Sequence, residues 1–345
     1  MKYSIIIPVF NRPKEVEELL ESLVHQSLTD FEVIIVEDGS TICCENICEQ
    51  YKDKMDIHYF MKKNSGPGQS RNYGAQHANG DYLLILDSDI VLPPDYIRAV
   101  NDELIHKPAD GFGGPDRSHP SFTDTQKAIS YSMTSFFTTG GIRGGKKKLD
   151  KFYPRSFNMG IRKEVYQKLG GFSNMRFGED IDFSIRIYKA GYRCRLFPKA
   201  WVWHKRRTDF HKFWRQVYNS GIARINLYKK YPESLKLVHL LPAIFTIGII
   251  FLTSLAVLGA ILLITTNNNN WKWLFIIPLL PIMLYMLLLL VHSTLQNKNL
   301  KIGILSIIAA FIQLFGYGCG FLQAWWKRCV KKEKAFDAYQ KNFYK

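Results

Sequence analysis

The 345-residue sequence has no Asp, Glu, Lys or Arg in three long stretches of its C-terminal third. These uncharged runs cover residues 237–271, 273–297 and 302–326. A helix of about 20 apolar residues crosses the hydrocarbon core of a bilayer, and a soluble helix of that length normally carries charge on one face. The missing charge therefore predicts three membrane-spanning helices, at about 237–264, 273–292 and 302–326, with a buried helical bundle as the alternative.

Common nucleotide-binding motifs are also missing. The chain contains neither GxxxxGK[ST] nor a GxGxxG that opens a helix, which disfavours P-loop nucleotidases and dinucleotide enzymes. Its six cysteines form no CxxC pair, so the sequence predicts reduced thiols and no zinc site. The N-terminus lacks a signal-peptide pattern. We therefore expect the N-terminal half on the cytoplasmic side of the plasma (inner) membrane, anchored by a multi-pass C-terminal half.

The chain is basic, with 46 Lys and Arg against 30 Asp and Glu and a formal charge of +16. Residues 1–198 hold equal numbers of basic and acidic side chains, so the whole surplus lies beside or between the apolar runs. A basic patch on a folded domain would indicate nucleic acid, whereas cations next to apolar helices indicate anionic lipid headgroups. We expect membrane lipids as partners and no nucleic acid.

Short apolar runs alternate with amphipathic stretches in the first 90 residues, which predicts βαβ units. The predicted strands are residues 4–9, 31–36, 57–61 and 82–86, and the predicted helices are residues 15–28 and 71–77. Ligands of such sheets bind beyond the carboxyl ends of the parallel strands. The polar residues at those ends are Asn11, Glu37, Asp38, Asp87 and Asp89. The sequence thus predicts an α/β fold with a ligand site at one edge of the sheet.

An Asp-x-Asp pair, Asp87 and Asp89, follows the last of these predicted strands. Two carboxylates on the same side of the chain suit Mg²⁺ or Mn²⁺, and such a cation also binds a diphosphate. The same spacing occurs in ordinary loops, so the inference depends on the position of the pair at a strand end.

Five motifs in order give the chain a more specific signature, which resembles the inverting family 2 glycosyltransferases of the GT-A fold. They are residues 4–11 (SIIIPVFN), 36–40 (VEDGS), 64–72 (NSGPGQSRN), 86–89 (LDSD) and 178–182 (GEDID). The resemblance covers about residues 3–230. It implies a mixed, mostly parallel sheet flanked by helices and a nucleotide-sugar donor, to which the apolar runs add C-terminal transmembrane helices.

The resemblance also implies roles for the matching residues. The donor-binding residues would be Pro8, Phe10, Glu37, Asp38, Arg71 and Asp87. Asp89 would be the principal ligand of Mg²⁺ or Mn²⁺, together with Asp87 and with His204, which stands where GT-A enzymes often place a histidine. Asp180 would be the general base. Read from the residues alone, Asp180 could equally belong to the acidic first turn of a helix, and His204 could be a packed histidine.

Three further residues are candidates for the acceptor or phosphate side, namely Arg143, Asn158 and Glu179. Arg143 lies in a glycine-rich stretch, residues 138–145, which could close over a phosphate or form a solvated basic loop. Asn158 resembles the asparagine that lines the acceptor side in this family, and Glu179 directly precedes Asp180.

Residues 209–231 place aromatic and aliphatic side chains at helical spacing among Lys and Arg, which predicts an amphipathic interfacial helix. The predicted organisation is a cytoplasmic catalytic domain at 1–208, this interfacial region at 209–236, a membrane domain at 237–326 and a basic tail at 327–345. Three spans would place the tail outside, yet its seven Lys and Arg favour the cytoplasm. Because glycines in the third run would let it bend or re-enter, we expect a cytoplasmic tail.

Together these features predict a membrane-anchored, metal-dependent, inverting glycosyltransferase of the hexosyltransferase type. Its donor would be a UDP- or GDP-sugar, and its acceptor the hydroxyl of a lipid-linked glycan or glycolipid in envelope polysaccharide synthesis. A polyprenyl-phosphate glycosyltransferase, whose acceptor oxygen belongs to a phosphate, is the alternative. A catalytically silent GT-A domain that serves as a binding or assembly module is a third interpretation, which the intact Asp87, Asp89 and Asp180 disfavour.

Overall fold

The structure, a computed structural model, describes residues 1–117, 119, 121–139, 152–175, 177–205 and 208–333. The chain forms two compact units. The first unit comprises Met1–Pro120 and Lys146–Lys205, and the second comprises Ser121–Gly145 and Arg206–Lys345.

All strands of the described residues belong to the first unit. They are β1 (Tyr3–Val9), β2 (Phe31–Asp38), β3 (Asp56–Lys62), β4 (Tyr82–Leu86), β5 (Ile90–Val91), β6 (Gly111–Gly113), β7 (Asp116–Arg117), β8 (Asn158–Arg162), β9 (Cys194–Leu196) and β10 (Val202–His204). The four strands predicted from the sequence correspond to β1–β4, which confirms the βαβ pattern.

The helices are divided between the two units. Those of the first unit are α1 (Pro13–Val24), α2 (Glu45–Glu49), α3 (Pro67–His77), α4 (Tyr96–His106), α7 (Lys163–Lys168) and α8 (Glu179–Lys189). Those of the second unit are α5 (Asp124–Thr134), α6 (Phe136–Thr139), α9 (Phe210–Lys230), α10 (Leu241–Thr266), α11 (Lys272–Asn297) and α12 (Leu300–Trp325).

The main sheet has the strand order β3-β2-β1-β4-β8-β6-β9. Strands β1 to β4 are parallel, whereas β8 is antiparallel to both of its neighbours, β4 and β6. A small second sheet has the order β5-β10-β7. The fold is therefore a mixed, mostly parallel sheet flanked by helices, as predicted.

Both faces of the main sheet are buried because its strands alternate their side chains between two cores. Ile5 and Ile7 of β1 pack in one core with the apolar face of α1, which includes Leu19. Ile6, between them in sequence, points to the other core and packs with residues that include Phe183 of α8. Parallel strands with apolar residues on both faces require helices on both faces, and α1 and α8 are two of them.

The boundaries of α1 and α3 differ from the prediction. The helix predicted at residues 15–28 ends at Val24. The side chain of Gln26 donates to the Pro93 carbonyl at 2.8 Å, so this segment is held by the loop before α4 and does not continue the helix. Helix α3 begins four residues earlier than predicted, at Pro67, because proline suits the first turn of a helix.

In the second unit, α10, α11 and α12 are long and apolar enough to cross a membrane. Their bounds agree with the three predicted apolar runs, and the four asparagines at 267–270 lie between α10 and α11. In the most apolar 18-residue segment of each helix, the protein buries 11% in α10 and in α11, but 44% in α12. Helix α9 occupies the segment in which the sequence predicted a helix, and Asp209 caps its N-terminus with a carboxylate that accepts from the Lys212 amide at 2.7 Å.

Candidate active site

Three predicted metal ligands lie together at the carboxyl end of β4. The ligand atoms of Asp87, Asp89 and His204 are all within 4.8 Å of one another. His204 is 115 residues further along the chain than Asp89, but it is paired with Ile90 in the β5–β10 ladder. This pairing places its Nε2 3.3 Å from Asp89 Oδ1.

The surroundings of His204 fix the orientation of its ring. The imidazole stacks on Phe157 with ring centroids 4.8 Å apart, and its Nδ1 is 4.0 Å from Asp116 Oδ2. The side chains of Asp89 and His204 are only 12% and 17% exposed. Carboxylate oxygens with one imidazole nitrogen form a donor set suited to Mn²⁺, and the carboxylates also suit Mg²⁺. The residues present therefore fit the cation that the sequence predicted.

Arg12, which lies between β1 and α1, is a member of the site that the sequence analysis missed. Its Nη1 donates to Asp89 Oδ2 at 2.5 Å. Burial lowers the pKa of the Arg12 guanidinium, but the charge of Asp89 and the hydrogen bond to it raise that pKa by more. Its position beyond the end of a parallel strand is the signal that could have identified it.

Arg71 connects the Asp-x-Asp turn to the start of α8. It is 97% buried, and it donates through Nη2 to Asp87 Oδ1 at 2.7 Å and through Nη1 to Glu179 Oε1 at 3.0 Å. Its guanidinium carbon is 5.2 Å from the ring centre of Phe172. Because burial lowers its pKa while Asp87 and Glu179 raise it by more, Arg71 remains charged between two carboxylates.

Helix α8 begins with two of the predicted residues, Glu179 and Asp180. The preceding Gly178 has a left-handed φ of 78°, which turns the chain into the helix. Burial raises the pKa of Glu179 to about 7, although Arg71 opposes the change. Asp180 is more accessible: its Oδ1 accepts from the Ile181 amide at 2.8 Å, and its Oδ2 is 3.4 Å from Arg155 Nη1.

Asp38 organises the loop between β3 and α3. Its Oδ1 accepts from the Ser65 amide at 2.9 Å, and its Oδ2 accepts from the Gly66 amide at 2.8 Å. Lys62, at the end of β3, forms an ion pair with the same carboxylate. The next residue, Gly39, has φ 72°, and a Cβ there would stand 2.8 Å from the Asn64 nitrogen. A larger residue at position 39 would displace this loop.

Two predicted site residues have side chains that are buried inside the protein. The Glu37 carboxylate is fully buried, and it accepts from Ser40 Oγ and, at 2.9 Å, from the Cys44 amide. The Asn158 amide is also buried; it accepts from Tyr96 Oη at 2.6 Å and donates to the Ala200 carbonyl at 2.9 Å. In this structure both side chains support neighbouring loops.

The remaining candidates lie at the carboxyl end of β1 or outside the described residues. Pro8 is half-buried in β1 opposite Val36 of β2, and Phe10 directly follows β1 and is also half-buried. Arg143 lies outside the described residues.

The chain is similar to known glycosyltransferases. The family described as Glycosyl transferase family 2 matches residues 4–170. The probable glycosyltransferase YdaM of Bacillus subtilis is 27% identical over 240 residues, which are 66% of this chain and 56% of YdaM. The poly(ribitol-phosphate) beta-N-acetylglucosaminyltransferase TarS of Staphylococcus aureus is 41% identical over 102 residues, which are 28% of this chain and 17% of TarS.

A solved structure shares the fold. The mannosyltransferase PcManGT from Pyrobaculum calidifontis, in complex with GDP-Man and Mn²⁺, superposes with a TM-score of 0.58 at 14% sequence identity. The superposition covers 95% of this chain and 88% of PcManGT. The mixed sheet is thus of the GT-A type. The chain spans about half the length of YdaM and a smaller part of TarS.

Proposed function

We propose that this chain, a member of glycosyl transferase family 2, transfers a sugar from a nucleotide-diphosphate sugar to the hydroxyl of a lipid-linked glycan or glycolipid. The transfer inverts the anomeric centre and depends on a divalent cation. It takes place on the cytoplasmic side of a membrane to which the second unit anchors the protein.

One observation carries this proposal: Asp87, Asp89 and His204 converge at the carboxyl end of β4. A donor diphosphate carries at least two negative charges, and the two carboxylates would repel it without a cation between them. These three side chains would hold Mg²⁺ or Mn²⁺, which would supply positive charge to the nucleoside diphosphate that departs as the sugar is transferred to the acceptor. The donor-binding loop would be the segment that Asp38 holds at Ser65 and Gly66.

The base of the reaction, in this proposal, is Asp180. A single inverting displacement needs one carboxylate to take the acceptor proton, since no protein acid is required at a leaving diphosphate. Asp180 follows Glu179, which Arg71 links to Asp87. Arg71 would therefore fix the position of the base relative to the Asp-x-Asp turn.

Two proteins of similar structure or sequence support the proposed class of donor. PcManGT was solved with GDP-Man and Mn²⁺, and TarS is named as a beta-N-acetylglucosaminyltransferase. A UDP- or GDP-sugar with Mg²⁺ or Mn²⁺ is accordingly the ligand pair that we propose for this chain. A lipid-linked acceptor follows from the second unit, whose apolar helices would hold the enzyme at a membrane surface.

The test is a thermal-shift screen of the full chain in detergent with UDP- and GDP-sugars and Mn²⁺. A donor at about 100 times its Kd should stabilise the folded protein by about 2.7 kcal/mol. The shift should require the cation and should disappear in Asp89→Asn. Asp95→Asn is the matched control, because this carboxylate is 75% exposed in its ion pair with Arg98. The proposal fails if no nucleotide sugar gives a cation-dependent shift.

A further inference from the structure

The apolar helix α12 packs on both α10 and α11, and its contacts indicate how it lies relative to them. Helices α10 and α11 form an antiparallel hairpin. A Cβ on Gly259 of α10 would stand 2.5 Å from the Phe275 nitrogen of α11, and fourteen residues earlier the ring of Phe245 is 5.6 Å from that of Tyr285. These two contacts show which residues of α10 and α11 lie at the same height along the hairpin.

Helix α12 contacts this hairpin at several points, among them two glycines that are fifteen residues apart. A Cβ on Gly303 would stand 2.1 Å from Thr294 Oγ1 of α11, and one on Gly318 would stand 2.1 Å from Thr246 Oγ1 of α10. Fifteen helical residues extend about 22 Å. Because Thr246 follows Phe245, it lies at about the same height along the hairpin as Tyr285.

The two contacts are therefore closer together along the hairpin axis than the two glycines of a helix parallel to that axis would be. Gly303 also approaches the Leu290 carbonyl, and Gly318 approaches the Pro242 carbonyl. The heights at which the two glycines contact the hairpin therefore differ by only roughly 10 Å along its axis. A helix that ran along the hairpin would have reached the level of Gly259 after fifteen residues. Instead α12 crosses the hairpin obliquely, in the half where α10 begins and α11 ends.

Helix α9 supplies an independent argument, because it packs directly on α12. A Cβ on Gly320 would stand 2.1 Å from the Tyr218 carbonyl, and one on Gly221 would stand 2.2 Å from the Tyr317 carbonyl. Such close backbone contact over successive turns keeps the two helices side by side. Any orientation that α12 adopts in a membrane is therefore shared by the adjoining part of α9.

The composition of α9 argues against a position in the hydrocarbon core of a bilayer. Its 21 residues include five basic side chains, namely Lys212, Arg215, Arg224, Lys229 and Lys230. Such charges are costly at the centre of a bilayer and favourable among headgroups. The exposed Trp325 and Trp326 at the end of α12 are also typical of the interface. Both helices therefore suit the headgroup layer.

We propose that α12 lies across one leaflet, paired with α9, and that only α10 and α11 cross the membrane. The α9–α12 pair then lies in the lipid leaflet on the side of the membrane where α10 begins. The exposed stripe of Leu300, Ile304 and Ile308 faces the acyl chains. Lys327, Arg328, Lys331 and Lys332, which follow α12, stay on the catalytic side, as the positive-inside tendency requires. This inference rests on the membrane anchoring in the proposed function.

The test uses alkaline phosphatase fusions of the full chain in a bacterial host. One fusion follows Lys345, and a second is inserted between Asn268 and Asn269, in the turn that joins α10 to α11. We expect the inserted enzyme to be active in the periplasm and the C-terminal enzyme to be inactive. A green fluorescent protein fused after Lys345 should be fluorescent.

The possible failures can be told apart. Activity of both phosphatase fusions, with a dark fluorescent protein, would show that α12 spans, and it would overturn this inference while leaving the membrane anchoring intact. An inactive insertion in the α10–α11 turn would show that the hairpin does not cross, and it would overturn the anchoring together with the inference.

Discussion

Arg12 and Asp89 form an ion pair in which a guanidinium nitrogen is 2.5 Å from a carboxylate oxygen. The pair joins the end of β1 to the turn after β4, inside the group of side chains that we assign to a divalent cation. One oxygen of the principal carboxylate is thus already neutralised by the protein's own charge. A cation that binds to both Asp89 oxygens has to displace Arg12.

Removal of Arg12 should therefore strengthen binding of the cation alone. We expect Arg12→Gln to lower the Kd for Mn²⁺ by roughly fivefold, since competition between two ligands is a coupling free energy of this size. Calorimetric titration with Mn²⁺ measures it directly. Lys205→Gln is the matched control, because Lys205 adjoins His204 but pairs with Glu18 at 2.6 Å. Weaker Mn²⁺ binding in Arg12→Gln would mean that Arg12 supports the ligands and does not compete with the cation.

The cation assignment predicts a loss of turnover when the cation or its main ligand is removed. Chelation with EDTA should abolish activity, and Asp89→Asn should reduce kcat/KM by at least about 100-fold, since a metal contributes several kcal/mol of transition-state stabilisation. Added Mn²⁺ should restore the chelated wild-type enzyme and not the variant. Turnover that persists in EDTA would remove the cation from the mechanism.

The sequence could predict the strands and the sheet edge where the site lies, because both depend on local patterns. Runs of β-branched residues identified β1 to β4, and the polar residues after them marked the carboxyl ends. The contact of His204 with Asp89 depends on the pairing of β10 with β5, two short strands that are far apart in the chain. No local pattern contains that pairing, and here the family resemblance supplied the residue.

The sequence could not tell which acidic residues face the ligand. Glu37 and Asp38 are neighbours with nearly the same chemistry, but Glu37 is enclosed by Ser40 and Cys44, while Asp38 holds the loop at Gly66. Successive residues of a strand point to opposite sides, and what lies on each side is a property of the tertiary structure. The ion pair of Lys62 with Asp38 could not be predicted for the same reason.

Glu32, at the start of β2, should contribute to stability in a pH-dependent way. Burial raises its pKa, but hydrogen bonds from Ser4 at 2.6 Å and from Asn79 lower that pKa by more, and the net direction is down. A lowered folded pKa gives stability that is present above the unfolded value of about 4.3 and is lost as the pH falls through the folded value. The fall in Tm on acidification should therefore be smaller in Glu32→Gln than in the wild type. In the control Glu164→Gln, whose carboxylate is 71% exposed, the acid profile should match the wild type.

Arg71 should matter for stability as well as for the site. Arg71→Met leaves the buried Glu179 and the half-buried Asp87 without their shared cation. Breaking a buried ion pair costs about 3 kcal/mol, which should lower the Tm of the first unit by about 6–12 °C. Arg162→Met, which removes a 39% exposed guanidinium from Glu164, should change stability by less than about 1 kcal/mol. Equal Tm losses in the two variants would contradict the bridging role of Arg71.

Asp180→Asn tests the assignment of the base, because the amide keeps the shape of the carboxylate and removes its basicity. We expect kcat to fall by about 10²–10⁴-fold, the usual contribution of general-base catalysis, while the Kd for the donor stays within a few-fold. Asp182→Asn, on the same helix, is the contrasting variant: this carboxylate is fully buried and 3.0 Å from Arg186, so its loss should lower Tm and leave kcat per folded enzyme near normal. Steady-state kinetics with donor-binding calorimetry separates the two effects. If Asp180→Asn turns over normally, the base lies elsewhere, with Glu179 next to be examined. If that variant instead loses donor binding, Asp180 belongs to the donor site.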